Sequence, residues 1–162
     1  MAYDLSDVRI LVVDPSPFRR MLICDVLKAI GVEQFEAVDQ GTTAYSAYRA
    51  ASFDIIIAEQ VMLPLDGLDL TRMIRTNPDS PNPTVPILMI AASPRTDEVV
   101  AARDSGVTEY MAMPFSVTTL YNRLVFIIEQ PRQFVRDGEY FGPDRRRSVK
   151  DFLGDEKRSG EE

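Results

Sequence analysis

The tightest constraint on this chain is a set of short, continuously apolar runs spaced between helical patterns. "RILVV" (9–13), "FDIIIA" (53–58) and "PILMIA" (86–91) show almost no polar–apolar alternation. A strand wetted on one face alternates with period two, whereas one covered on both faces is apolar throughout. Each run is followed by a helical pattern. After the first, Ser16-Pro17 supplies an N-cap and a proline at the first helical position, and Leu22, Ile23, Val26, Leu27 and Ile30 form a stripe that ends at Gly31. Shorter strands are expected at about 34–38 and at 107–113, "VTEYMAM". Helices are expected from Gly41 to about Ala51, over 68–76, from Ser93-Pro94 to Gly106, and from Pro114 to the stop at Pro131. The four prolines of "TNPDSPNPTVP" exclude regular structure and predict a long surface loop. Five β-then-α units predict an α/β, doubly wound parallel sheet with helices on both faces. A chain of 162 residues holds one such domain with a real core.

Composition narrows the function. With no histidine, histidine triads, most zinc sites and a phosphohistidine carrier role are excluded. A net charge of −7 argues against nucleic-acid binding. The balance is uneven: residues 1–130 hold 10 basic and 17 acidic side chains, and residues 131–162 hold 8 of each. No run approaches the roughly 18 apolar residues of a membrane span. The start "MAYDLSDVRI" lacks a signal peptide's basic and apolar regions, and Cys24 has no internal disulfide partner. A cytoplasmic protein without membrane insertion is the expectation.

Residues 8–130 carry, in order, "ILVVD" with Arg20 downstream, "FDIIIAEQVM...DG", "VPILMIAA" and "SGVTEYMAMPF". Together these resemble the CheY-like receiver domain of bacterial response regulators. The resemblance implies a flavodoxin-like (βα)5 fold over residues 5–130, strand order 2-1-3-4-5, with the site at the strand carboxyl ends. A working receiver of this kind transfers a phosphoryl group to an aspartate. One Mg²⁺ and preorganised donors hold the developing charge. The family pairs two acids after the first strand with the acceptor aspartate after the third. A hydroxyl residue after the fourth strand and a lysine after the fifth complete the set.

This sequence departs at four of those five positions. Asp14 is retained, but Pro15 stands for the second acid, Glu59 for the acceptor, Ala91 for the hydroxyl and Met113 for the lysine. Tyr110 matches the family's switch aromatic, and the Pro114-Phe115 pair after the lysine position is kept. The extra methylene of Glu59 moves its carboxylate about 1.5 Å outward by ordinary bond geometry. A displacement of about 1 Å costs about a hundredfold in rate. The expectation is a degenerate pseudo-receiver without catalysis and without a dedicated metal. Two readings of Glu59 stay open: a fixed mimic of phosphoaspartate, or a drifted pocket kept for folding. Weak Mg²⁺ binding at Asp14 and Glu59, or a shared proton, also stays open.

Two further features exceed what the fold needs. On the fifth helix, Tyr121, Val125 and Phe126 widen the apolar stripe of Leu120, Leu124, Ile127 and Ile128. They predict either a tail folded back over them or an interface with a partner or second copy on the fourth-helix to fifth-helix side. The extension over 131–152 interleaves Arg132, Arg136, Arg145, Arg146, Arg147 and Lys150 with Phe134, Tyr140, Phe141 and Phe152. Its "GPDRRR" core looks like the arginine-rich C-terminal extensions of CheY-like (Cle) regulators, which bind cyclic di-GMP. That resemblance implies Arg145, Arg146 and Arg147 on phosphates or base edges, with Tyr140 or Phe141 stacking. A protein-docking arm and a solvated tail are the competing readings, and residues 153–162 are expected to be disordered. The expected function is a stand-alone, phosphorylation-independent signalling adaptor acting through protein–protein binding. The alternative is a cyclic di-GMP effector in motility or chemotaxis, with no DNA-binding output.

Overall fold

The computed structural model of the chain describes residues 3–146. Arg147 and the stretch 153–162 lie outside them. Five βα units run β1 (Arg9–Val13), α1 (Pro17–Ala29), β2 (Gln34–Val38), α2 (Gly41–Ala50), β3 (Ile55–Glu59), α3 (Gly67–Thr76), β4 (Ile87–Ala92), α4 (Thr96–Ser105), β5 (Glu109–Met113) and α5 (Val117–Glu129). All five strands are parallel, in the order β2-β1-β3-β4-β5. A two-stranded antiparallel hairpin, β6 (Phe134–Asp137) with β7 (Tyr140–Pro143), follows.

The continuous apolar runs are explained by two cores. Leu11 and Val13, with Ile56 and Ala58, enter one cluster beneath α2, α3 and α4. Their neighbours Ile10 and Val12, with Ile55 and Ile57, enter the other beneath α1 and α5. Every residue of β3 is buried. Each fully buried aliphatic side chain contributes about 1.5–3 kcal/mol, so both faces of the sheet drive folding.

Helix starts agree with the expected caps at α1, where the Ser16 side chain accepts from the Arg19 N–H. They differ at two others. α5 begins at Val117 behind Ser116, which accepts from Thr119 N–H, rather than at Pro114. α4 begins at Thr96, and Ser93 adopts φ 43° in the preceding turn instead of capping the helix. Leu22 is 41% exposed and leaves the α1 core stripe, which keeps Ile23, Leu27 and Ile30 buried and Val26 partly buried against them. The proline-rich connection is a loop held down by two tyrosines. Tyr45 Oη donates to Asp79 at 2.5 Å, and Tyr48 Oη accepts from Asn82 N–H at 2.7 Å.

The hairpin is seated at the amino ends of β4 and β5, and Arg75 of α3 organises that seat. Its side chain is buried, and it donates to the carbonyls of Gly106 (3.0 Å), Pro83 (2.8 Å) and Val85 (2.7 Å). The guanidinium lies 4.9 Å from the Phe134 ring centre, and Phe134 packs on Phe141 at 5.6 Å. Burial pulls Arg75 down to about 9, which leaves it charged at neutral pH. Arg132 adds a bond to the Thr108 carbonyl at 3.2 Å and one to the Asp144 carbonyl at 2.7 Å. Beside it the buried Glu109 pairs with Arg123 at 3.2 Å.

Gly106 closes α4 in a left-handed conformation, φ 106°, and also forms the floor of the seat. A Cβ there would stand 3.1 Å from Arg75 Cγ and 3.2 Å from the Phe141 carbonyl oxygen. Gly31, at φ 95°, has open space around it. Both Gly31→Ala and Gly106→Ala meet backbone strain of about 1–3 kcal/mol. Gly106→Ala must also shift the hairpin, so it is expected to lose distinctly more stability in urea unfolding. Equal losses would show that the hairpin does not rest on Gly106.

Candidate functional site

The strand order brings the expected positions together at the carboxyl ends of the sheet. Asp14 directly follows β1, Glu59 closes β3, Ala91 lies in β4, and Met113 closes β5. In register, Glu59 pairs with Ile90, and Ala92 with Met113. Asp14 is 1% exposed and Glu59 7% exposed, so two carboxylates enter a nearly dry pocket. Pro15 is exposed and directs no polar group to them.

Their counter-charge comes from a residue that the motif comparison passes over. Arg19, one turn into α1, grips Asp14 in a bidentate pair: Nε donates to Oδ2 and Nη2 to Oδ1, both at 3.0 Å. Nη2 also lies 4.0 Å from Glu59 Oε2. Asp14 Oδ1 further accepts from Ser16 N–H at 2.8 Å, and Arg20 Nη1 reaches the Asp14 main-chain carbonyl at 2.7 Å. The hydrogen bond to Asp14 holds the Arg19 guanidinium above its ordinary pKa. Ser16 places Arg19 there by fixing the first turn of the helix. The spacing of Asp14, Ser16 and Arg19 was the available signal.

Glu59 is less well served. One oxygen accepts from Val61 N–H at 3.3 Å, and the other lies 4.0 Å from Arg19 Nη2. Burial pushes its carboxyl above the ordinary value, and the neighbouring Asp14 charge adds to the rise.

Mg²⁺ requires near-octahedral oxygen ligands and strongly prefers anionic ones. Both oxygens of Asp14 are engaged by a guanidinium, and Pro15 supplies none. Among the described residues no group of three His, Cys, Asp or Glu side chains is placed to hold a metal. Of the family's three acidic positions, two carry carboxylates here, Asp14 and Glu59, and Pro15 does not. Ala91 and Met113 likewise carry no hydroxyl or ammonium for phosphoryl oxygens.

Tyr110 is fully buried and points inward, its hydroxyl donating to the side-chain oxygen of Gln60. On α5, Tyr121, Val125 and Phe126 are half-buried. Tyr121 packs against the α1–α5 core, and its hydroxyl accepts from Tyr3 N–H at 2.9 Å. The N-terminal segment therefore meets Tyr121. The tail, expected as one possible cover, commits its Phe134 ring to Arg75 and Phe141 instead.

The tail residues are brought together on the hairpin and its exit. Arg145 lies 3.9 Å from the Tyr140 ring centre and pairs with Asp104 at 3.6 Å and Asp137 at 3.8 Å. Arg136 covers Phe141 at 4.7 Å. Arg146 Nε is bonded to Asp144 Oδ2 at 2.7 Å.

Because the folded state raises the pKa of Glu59, it binds that proton more tightly than the unfolded chain does. Ionised Glu59 therefore lowers stability as pH rises through its folded-state pKa. Glu59→Gln is expected to melt at a higher temperature than the wild type at pH 7–8. That advantage should shrink as pH falls through the carboxylate range. A loss of stability at pH 7 would mean that attraction to Arg19 outweighs burial.

Comparison with known proteins agrees with this fold. The family model for the response regulator receiver domain matches residues 10–125. Chemotaxis protein CheY-3 of Vibrio cholerae serotype O1 is 28% identical over 125 residues, covering 77% of this chain and 95% of the relative. Chemotaxis protein CheY of Pseudomonas aeruginosa is 29% identical over 123 residues, covering 76% and 98%. Among solved structures, a response regulator from Chloroflexus aurantiacus superposes with TM-score 0.70 at 24% identity, covering 76% of this chain and 98% of that one. The receiver domain of a Pseudomonas aeruginosa sensor histidine kinase, with a magnesium ion coordinated in its active site cleft, gives TM-score 0.69 at 25% identity, covering 76% and 98%. The chain belongs to the response regulator receiver domain family.

Proposed function

We propose that this receiver works as a phosphorylation-independent signalling adaptor that acts by binding protein partners and catalyses no phosphoryl transfer. The observation that carries the reading is Arg19. Its bidentate grip on Asp14 puts a fixed cation on the carboxylate pair. With Pro15, Glu59, Ala91 and Met113 at the other positions, the pocket lacks the second acid, the acceptor aspartate, the hydroxyl and the lysine that the family brings to an incoming phosphoryl group. With Asp14 locked to Arg19, the pocket is held in one state, so output depends on the surface and not on chemistry. Of the residues expected on the α4–α5 side, the half-buried Val125 and Phe126 would meet a partner or a second copy, while Tyr121 is already met by Tyr3.

Incubation with acetyl phosphate and Mg²⁺, followed by intact mass and amide NMR, tests this. The wild type is expected to show no adduct and no shift, and a stable phosphoryl adduct would sink the reading. Combining Pro15→Asp, Arg19→Ala, Glu59→Asp, Ala91→Thr and Met113→Lys should give Mg²⁺-dependent labelling on the same scaffold.

A second reading, a cyclic di-GMP effector in motility or chemotaxis, is favoured by the guanidinium–ring pairs Arg145–Tyr140 and Arg136–Phe141. Two cations already lie over aromatic rings, and both kinds of group suit a ligand made of bases and phosphates. Asp104 and Asp137 occupy Arg145, so a ligand must displace them. Charge-assisted bonds of about 1.5–3 kcal/mol each, less that exchange, predict affinity no better than micromolar. Calorimetry with cyclic di-GMP should show binding that weakens with salt and disappears in Arg145→Ala, with GTP as control. No heat at high protein concentration would leave the adaptor reading alone.

A further inference from the structure

The residue after Glu59 is not assigned a role by any feature of the pocket, yet Gln60 is 7% exposed and bonded on every side. Its main-chain N–H donates to the Ile90 carbonyl at 3.0 Å, and its carbonyl accepts from Gly67 N–H at 2.9 Å. Its side-chain oxygen accepts from the Tyr110 hydroxyl, and its Nε2 donates to the Glu98 carbonyl at 3.4 Å. One side chain thus joins the end of β3 to β5 and to the first turn of α4, while its backbone ties in β4 and α3. The approach is close enough to require glycine at the α3 start: a Cβ on Gly67 would lie 2.5 Å from the Glu59 carbonyl oxygen and 3.0 Å from Gln60 Cα.

We infer that Gln60 is a positioning residue that latches Tyr110 inward and pins α4, setting the α4–β5–α5 face with no input from the carboxylate pocket. The chemistry is specific to an amide. A buried phenol needs an acceptor, and the Glu98 carbonyl needs a donor. An amide meets both from one planar group, and the two partners fix which way it faces. Reversing it would set the amide oxygen against a carbonyl oxygen. A hydroxyl at position 91 is therefore not needed to hold the ring, because Ala91 only contributes packing in the same cluster as Tyr110 and Val99. Burial raises the Tyr110 pKa, so its proton stays on as a donor at physiological pH.

This inference rests on the proposed phosphorylation independence, and its test separates the two. The full chain, with labelled tyrosine and uniform ¹⁵N, is compared as wild type, Gln60→Leu, Gln60→Glu and Tyr110→Phe. Gln60→Leu is expected to shift or double the Tyr110 ring resonances. Amide exchange in the first turns of α4 should rise about tenfold, while the signals of Asp14 and Arg19 stay in place. Gln60→Glu keeps the acceptor and loses the donor, so it should keep the ring inward and free α4 alone. Tyr110→Phe keeps the ring and should change the Gln60 side-chain amide signals. Wild-type ring signals and α4 exchange in Gln60→Leu, or unchanged Gln60 amide signals in Tyr110→Phe, overturn the latch. Adding beryllofluoride with Mg²⁺ gives the second arm. A response in the wild type would refute phosphorylation independence even where the Gln60 variants behave as expected.

Discussion

A carboxylate at the end of a buried strand demands a positive partner, and much of this structure follows from how that demand is met. In the family the partner is a metal, borrowed from solution and shared with a phosphoryl group. Here the chain supplies it, through a guanidinium whose planar fork suits a single carboxylate. Arg19 is covalently held, always charged, and cannot be exchanged for a ligand. The α1 N-terminus, the Ser16 cap and the β1 carboxyl end become one electrostatic unit. Glu59, longer than an aspartate, is left with the smaller share of that charge.

The opposite end of the sheet solves a similar problem in a different way. Buried Arg75 meets carbonyls, a hydroxyl and an aromatic ring instead of a carboxylate. Desolvating a cation is costly unless each N–H finds an acceptor, and the loops before β4 and β5 present theirs in the right places. The hairpin completes the enclosure with Phe134. Basic residues of the extension are therefore partly structural, since Arg132 and Arg145 bind the body as well as the tail.

Much of the fold was legible because burial on two faces writes itself into strand composition: Ile10 to Val13 and Ile55 to Ile57 could hardly be anything else. Helix starts were legible where a serine side chain truly caps, as at Ser16. They were misread at Ser93, whose neighbourhood has the same dipeptide but a different backbone. The four departures from the family's pattern, Pro15, Glu59, Ala91 and Met113, were legible because the family defines where to look. Arg19 and Gln60 were missed for the complementary reason: their roles arise from new contacts, which no inherited pattern marks. The hairpin had a local signature in Asp137-Gly138 between "FVR" and "EYF".

The seating of the hairpin also gives the molecule a direction. The chain leaves the body beside Gly106 and Thr108, at the amino ends of the central strands, while Asp14 and Glu59 lie at the carboxyl ends. A five-residue strand separates the two poles by roughly 16 Å of sheet, with loops beyond. Were the molecule held by residues following Arg146, it would stand like a lamp on its base. The carboxylate end, with exposed Phe18 and Leu63 around it, would face outward into the surroundings.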